Sequence, residues 1–176
     1  AARNRQGYAA YAMTSTRRST RRWTLKDSSR FDEMPAWKQV MTMPLDRRRE
    51  RFLDPAIRAE LAGAMAEHKP IGFSRRWDLI TVKKAGRAEN KPLQGKRIED
   101  LPRAQTKSPI DAFLDLALSE NLETTFEDIA SQGDEQAVKE IFSNPPVLLG
   151  QSDAGAHVAN ANPGFGYSTI MLAHWV

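Results

Sequence analysis

PVLLGQSDAGAH, residues Pro146–His157, joins a short apolar run to a cluster of a hydroxyl, a carboxylate, small residues and a histidine. After Asn144-Pro145-Pro146, VLLGQ, residues 147–151, reads as a short, fully apolar strand of the kind buried on both faces. Ser152, Asp153 and His157 then arrive together at its carboxyl end, while Gly150, Ala154, Gly155 and Ala156 keep the backbone open to tight turns and close approach. Parallel α/β barrels project their catalytic groups from this end of a strand. An aspartate so placed can ligate a metal and accept a proton from metal-bound water. The same residues also fit a plain strand-to-loop turn, in which Asp153 accepts hydrogen bonds from the following amides and His157 caps a nearby group. Asp-x-x-x-His supplies two ligands where a metal site usually takes three or more. The other two histidines, His68 and His174, are distant in sequence. A Ser-His-Asp triad is poorly supported, because adjacent Ser152 and Asp153 point in different directions.

Upstream of this stretch the chain alternates helical and strand-like segments. Met34, Trp37, Val40 and Met41 fall at helical spacing, and Pro44 interrupts before an arginine-rich turn, LDRRRERF. Asp54-Pro55 is a helix start, since aspartate accepts a free backbone N–H where proline needs none. The predicted helix runs from about Pro55 to His68 with Ile57, Leu61, Ala64 and Met65 inward, and an imidazolium at His68 suits its C-terminal dipole. Trp77–Val82 alternates as a strand and 83–95 reads as a loop. Ser108-Pro109 opens a second helix with Ile110, Phe113, Leu114, Ala117 and Leu118 as its apolar stripe. LETTF, residues 122–126, is a candidate strand, DEQAVKEIF a short helix stopped by Asn144-Pro145-Pro146, and GYSTIMLAHWV the start of a last helix without a C-cap. Helix, strand, helix, strand, helix is the order of an α/β protein with parallel strands.

Length and composition suit one domain with a core: 176 residues, 40% hydrophobic and 27% charged. No apolar stretch approaches the roughly 18–20 residues that span a bilayer, so the expectation is a soluble, cytoplasmic protein with no membrane partner. With zero cysteines there are no disulfides or thiolate sites, and any metal must be held by His, Asp or Glu. The net charge of +4 is uneven. Residues 1–30 carry eight basic side chains against Asp27 alone, and their TRRSTRR repeat reads as a low-complexity, disordered leader. Such an arm can touch phosphates, although a solvated tail explains the same composition.

The wording of PVLLGQSDAGAHV closely resembles the last-strand motif of the amidohydrolase superfamily, in the branch of N-acyl-D-amino-acid deacylases, or D-aminoacylases. FDEMPAWKQVMTMPLDRRRERFLDPAIRAEL, RRWDLITV, the N-x-P-L-x-G-K-R-I stretch from Asn90 to Ile98 and SPIDAFLDLALSENLETTF follow in the order of that family's C-terminal portion. The resemblance covers roughly Phe31–Val176. It implies the C-terminal part of a (β/α)8 TIM barrel, a metal-dependent hydrolase in which water activated by one or two zinc ions attacks an amide or related C–N bond. Asp153 matches the family's last-strand aspartate, the proton shuttle between water and leaving amine and a possible metal ligand. His157, Ser152 and Gly155 would face the substrate.

The resemblance also sets the expected organisation: a leader over 1–30, an inserted segment beside the barrel mouth over 31–95, and C-terminal barrel strands and helices over 96–176. The family's His-x-His, its mid-barrel ligand and its later histidines have no counterpart here, which predicts a truncated chain, inactive alone. The rest of the barrel, or a homo-oligomer, would complete the site around a small N-acylated substrate. Asn162-Pro163-Gly164 stands where relatives acting on acyl-amino acids carry a carboxylate-clamping arginine, and a bidentate clamp needs a guanidinium. The alternative function is non-catalytic, with the Arg-rich leader on nucleic acid or another polyanion, although nucleic acid is the less expected partner.

Overall fold

The computed structural model describes residues 7, 11–15, 19–27, 29–67, 76–131, 134–150 and 166–176. In chain order its elements are β1 (Ala12–Thr14), β2 (Ser19–Trp23), α1 (Pro35–Met41), α2 (Leu45–Leu53), α3 (Pro55–Glu67) and β3 (Ile80–Lys84). There follow α4 (Pro102–Thr106), α5 (Pro109–Ser119), β4 (Thr125–Ser131), α6 (Glu135–Phe142), β5 (Val147–Leu149) and α7 (Tyr167–Ile170), which runs on as a wider turn over Met171–Trp175. The chain is thus a mixed α/β protein with small sheets. It divides into two compact units, Arg21–Asp128 and Ala1–Thr20 with Ile129–Val176. Neither expected boundary, at residue 30 or residue 95, coincides with these limits.

In the unit Arg21–Asp128, β4 is the middle strand between β2 and β3. The β3–β4 ladder is antiparallel, with Ile80 opposite Asp128, Val82 opposite Phe126 and Lys84 opposite Thr125. This corrects the parallel arrangement that the element order suggested. The intervening helices leave the chain beside the end of β3, so β4 starts where β3 finishes and runs back along it. LETTF also begins its strand later than its pattern implies. Asn121 and Leu122 have φ of 55° and 65°, a left-handed turn in which the Leu122 amide donates to the Ala117 carbonyl at 2.7 Å and closes the end of α5. Burial of the Leu122 side chain offsets the backbone cost of that conformation.

The helix starts follow the sequence signals. Asp54 Oδ1 accepts from the Ala56 amide at 2.8 Å, and Ser108 Oγ accepts from the Asp111 amide at 3.2 Å. On α5, Ile110, Phe113, Leu114 and Ala117 are buried and Leu118 partly so, with Ala112 and Leu116 widening the stripe. LDRRRERF, read as a turn, is the helix α2, because Arg48 and Phe52, one helical turn apart, both point inward.

Trp23 organises the core. Its ring lies 5.6 Å from Phe31, 5.8 Å from Phe113 and 5.2 Å from Phe126, centroid to centroid. Phe31 stacks on Trp37 at 4.3 Å, and the Trp37 indole N–H donates to the Leu61 carbonyl at 3.0 Å. The end of the supposed leader is therefore structural, with Trp23 and Leu25 both buried. Arg48 is buried as well, and its guanidinium donates to four backbone carbonyls. Those of Leu25 and Lys26 lie at 2.8 Å each and that of Met43 at 3.0 Å, with Met41 the fourth.

The second unit is built differently. β1 and β5 pair in parallel, Ala12 with Val147, Met13 with Leu148 and Thr14 with Leu149. Asp134 caps α6 by accepting from the Gln136 and Ala137 amides at 3.0 and 3.1 Å, and Phe142 meets Trp175 edge-on at 4.9 Å. Among its described residues Val138 is the buried hydrophobe, whereas the register partners Met13 and Leu148 are 59% and 48% exposed. Among the described residues, no helix is long and apolar enough to cross a membrane.

Replacing Arg48 with methionine keeps much of the apolar stem and leaves four carbonyls without their donor. The expected loss is roughly 2–5 kcal/mol, since each unsatisfied buried acceptor costs about 1–3 kcal/mol and some regain water. Urea unfolding followed by tryptophan fluorescence reads this directly, and an unchanged midpoint would refute the role given to Arg48.

Candidate functional site

The segment singled out for chemistry follows Gly150 in the chain. This residue follows β5, and its amide donates to the Thr14 carbonyl at 3.1 Å, extending the parallel ladder by one bond. Its φ is 145°, a conformation that side-chain-bearing residues rarely adopt. The ring of Tyr167 lies 3.6 Å from the point where a Cβ would stand. Thr14, Gly150 and Tyr167 thus meet at the carboxyl end of two parallel strands, the end at which α/β proteins build their pockets.

The residues singled out for function come next in the chain. Ser152, Asp153, Gly155 and His157, together with Asn162-Pro163-Gly164, lie outside the described residues, as does His68. His174 is described, with its Nε2 3.6 Å from Glu135 Oε1 and its ring edge-on to Trp175 at 4.8 Å. Among the described residues no group of three or more His, Asp or Glu side chains converges to hold a metal ion. They therefore provide no ligand set for zinc.

Five carboxylates of the unit Arg21–Asp128 are held by structural partners. Glu120 accepts from the Gly86 and Arg87 amides and, at 2.7 Å, from the Asn90 amide group. Burial pushes its pKa up, but these hydrogen bonds outweigh burial and hold it below the ordinary glutamate value. Arg58 bridges Asp111 at 3.0 Å and Asp115 at 2.7 Å. The Ser108 hydroxyl and Arg58 lower Asp111, while for Asp115 and Glu127 ion-paired hydrogen bonds overcome the upward push of burial. Asp128, 1% exposed, accepts from the Trp23 indole N–H at 3.1 Å and from Arg30. Here burial dominates and raises the carboxyl pKa, with Arg30 offsetting only part of it.

Two described arginines of the basic segment are similarly engaged, Arg22 with Glu127 at 2.7 Å and Arg30 with Asp128. A groove of about 610 Å³ along α2 is lined by Met43, Pro44, Arg47, Glu50, Arg51 and Asp54. Its charges balance, and Arg47 is already paired with Glu50 at 2.9 Å. Nothing in the sequence pattern marked the approach of the Tyr167 ring toward Gly150. A glycine directly after a strand is the one cue that was available.

Two predictions follow from this geometry. Gly150→Ala forces a side chain into φ 145° and should destabilise the protein by about 1–3 kcal/mol, read from the thermal midpoint. A midpoint equal to the parent's would show that the backbone relaxes freely. The second concerns acid. Asp111, Asp115, Glu120 and Glu127 have lowered pKa values, so their stabilisation is present above the ordinary carboxylate range of about 3.9–4.3 and is lost as pH falls through their folded values. Asp128 has the opposite sign, stabilising as it protonates. The net expectation is a melting temperature that declines below about pH 4, with a shallower decline in Glu120→Gln. A variant with the parent's acid slope would contradict the role of Glu120. The chain matches no protein-family model, no curated protein and no solved structure.

Proposed function

We propose that this chain carries one wall of an amidohydrolase active site, resembling the N-acyl-D-amino-acid deacylases, and acts on an amide or related C–N bond of a small N-acylated substrate. The observation that supports the reading is the parallel pairing of β1 with β5, so that Gly150, the residue before the motif, stands at the carboxyl end of both strands. In the reaction the oxygen of water bonds to the acyl carbon and the C–N bond breaks. Asp153 takes the proton from the attacking water at its carboxylate and returns it to the departing amine. His157 and Ser152 face the substrate, and Gly155 leaves room for it. Besides proton transfer and pocket shape, Asp153 would offer one carboxylate ligand to the zinc that this chemistry uses. The remaining barrel portion, or a further copy, supplies the other ligands.

On this reading the fold is the C-terminal part of a (β/α)8 barrel with an inserted segment, working in the cytoplasm. Asn162-Pro163-Gly164 offers no carboxylate clamp, which favours N-acyl amines or related amides over N-acyl amino acids. Polyanion binding by the basic segment has less support, because Arg22 and Arg30 are paired with Glu127 and Asp128.

The test is zinc-supplemented hydrolysis of matched N-acyl amines and N-acyl-D-amino acids by the protein containing this chain and its metal-binding portion. Asp153→Asn is expected to lower kcat by about 10²–10⁴-fold, the range of general acid–base catalysis, while the variant stays folded by circular dichroism. Full turnover in that variant would overturn the proposal.

A further inference from the structure

We propose that the groove along α2 is a binding site for a small monocarboxylate with an apolar stem, held at its head by Arg51. At about 610 Å³ the groove falls within the size range of small-molecule sites. Pro44, Arg47, Arg51 and Asp54 line it at helical spacing, with Met43 and Glu50 beside them, so one face of a single helix and its flanks builds the site. Of its four charged side chains, three are engaged. Arg47 pairs with Glu50 at 2.9 Å. Asp54 accepts from the Ala56 amide at 2.8 Å where α3 begins, a helix end that favours negative charge. Arg51 differs: among the described residues its guanidinium meets neither a carboxylate nor a carbonyl, and its Nε is enclosed without an acceptor.

A guanidinium keeps its proton, so the positive charge persists, and with Nε enclosed the donors left for a ligand are the paired Nη nitrogens. Their planar fork matches the two oxygens of a carboxylate. The neighbouring side chains decide which anion fits. Glu50 and Asp54 repel a second negative charge, which disfavours phosphate and dicarboxylates. Met43, half-buried, and Pro44 offer apolar surface on which a hydrocarbon stem can lie, and the thioether adapts to its shape. The ligand is therefore a single carboxylate on a short apolar chain. Nothing in this binding depends on the chemistry assigned to Asp153.

The experiment titrates sodium hexanoate into the intact protein and follows binding by saturation-transfer NMR, with inorganic phosphate and hexanol as comparison probes. Hexanoate is expected to bind with a dissociation constant on the order of 1–10 mM, tighter than either comparison probe. Arg51→Gln should weaken it about tenfold or more, the effect of losing hydrogen bonds to a charged group. Arg49→Gln makes the same charge change at an exposed residue of α2 that does not line the groove, and should leave binding within about twofold of the parent. Arg51→Lys keeps the charge without the fork and should fall between the two. Circular dichroism checks the fold of each variant, and if Arg51→Gln does not fold, Arg51→Lys carries the test with a weakening of about threefold or more. Undetectable binding by the parent, equal binding by the parent and the Arg51 variant, or an equal loss in Arg49→Gln each overturns the site. Phosphate or hexanol bound as tightly as hexanoate overturns the class of ligand.

Discussion

The indole of Trp23 joins parts of the chain that are far apart in sequence. Its ring touches Phe31, Phe113 and Phe126, and its N–H reaches Asp128. Through Phe31 the cluster continues to Trp37, which ties α1 to the carbonyl of Leu61 on α3. One large side chain thereby sets the spacing between a sheet and the helices of the unit Arg21–Asp128. An aromatic ring suits the task because it buries much apolar area while keeping a polar edge for a buried acceptor.

Charge serves the same unit as a fastening. Arg48 gathers carbonyls from the segments around residues 25–26 and 41–43, and Glu120 gathers amides from the turn at 86–87. Both satisfy backbone groups that loops would otherwise leave unpaired in the interior. A chain rich in ionisable residues can therefore hold few that are poised for chemistry. The proposed chemistry belongs in sequence to the other unit, where Val138 on α6 is the buried hydrophobe among the described residues.

What was legible in the sequence was local. Asp54-Pro55 and Ser108-Pro109 announce helix starts through the hydrogen-bonding capacity of one side chain, and the stripe on α5 follows from period alone. A strand in VLLGQ was readable because prolines precede an apolar run, although the described strand stops at Leu149. What was not legible depends on distant partners. TRRSTRRW looks like a tail until Glu127 and Asp128 are set beside it, and an arginine-rich helix looks like a turn until Arg48 is seen to face inward. Strand direction escaped for the same reason, since the order of elements does not say at which end of β3 the chain returns. At the candidate site the motif named Asp153, whereas the approach of the Tyr167 ring toward Gly150 follows no spacing rule.

The separation of Trp23 from Asp128 carries a consequence for biosynthesis. The two side chains are 105 residues apart, so the first strand of the unit is made long before the strand that completes its environment. At about 5–20 residues per second, that interval lasts on the order of 5–20 s. Throughout it the apolar faces of Trp23, Leu25 and Phe31 have no finished sheet to join. The nascent chain thus passes through a stage at which shielding by the ribosome or a holdase, rather than its own structure, keeps its earliest core residues from the wrong company.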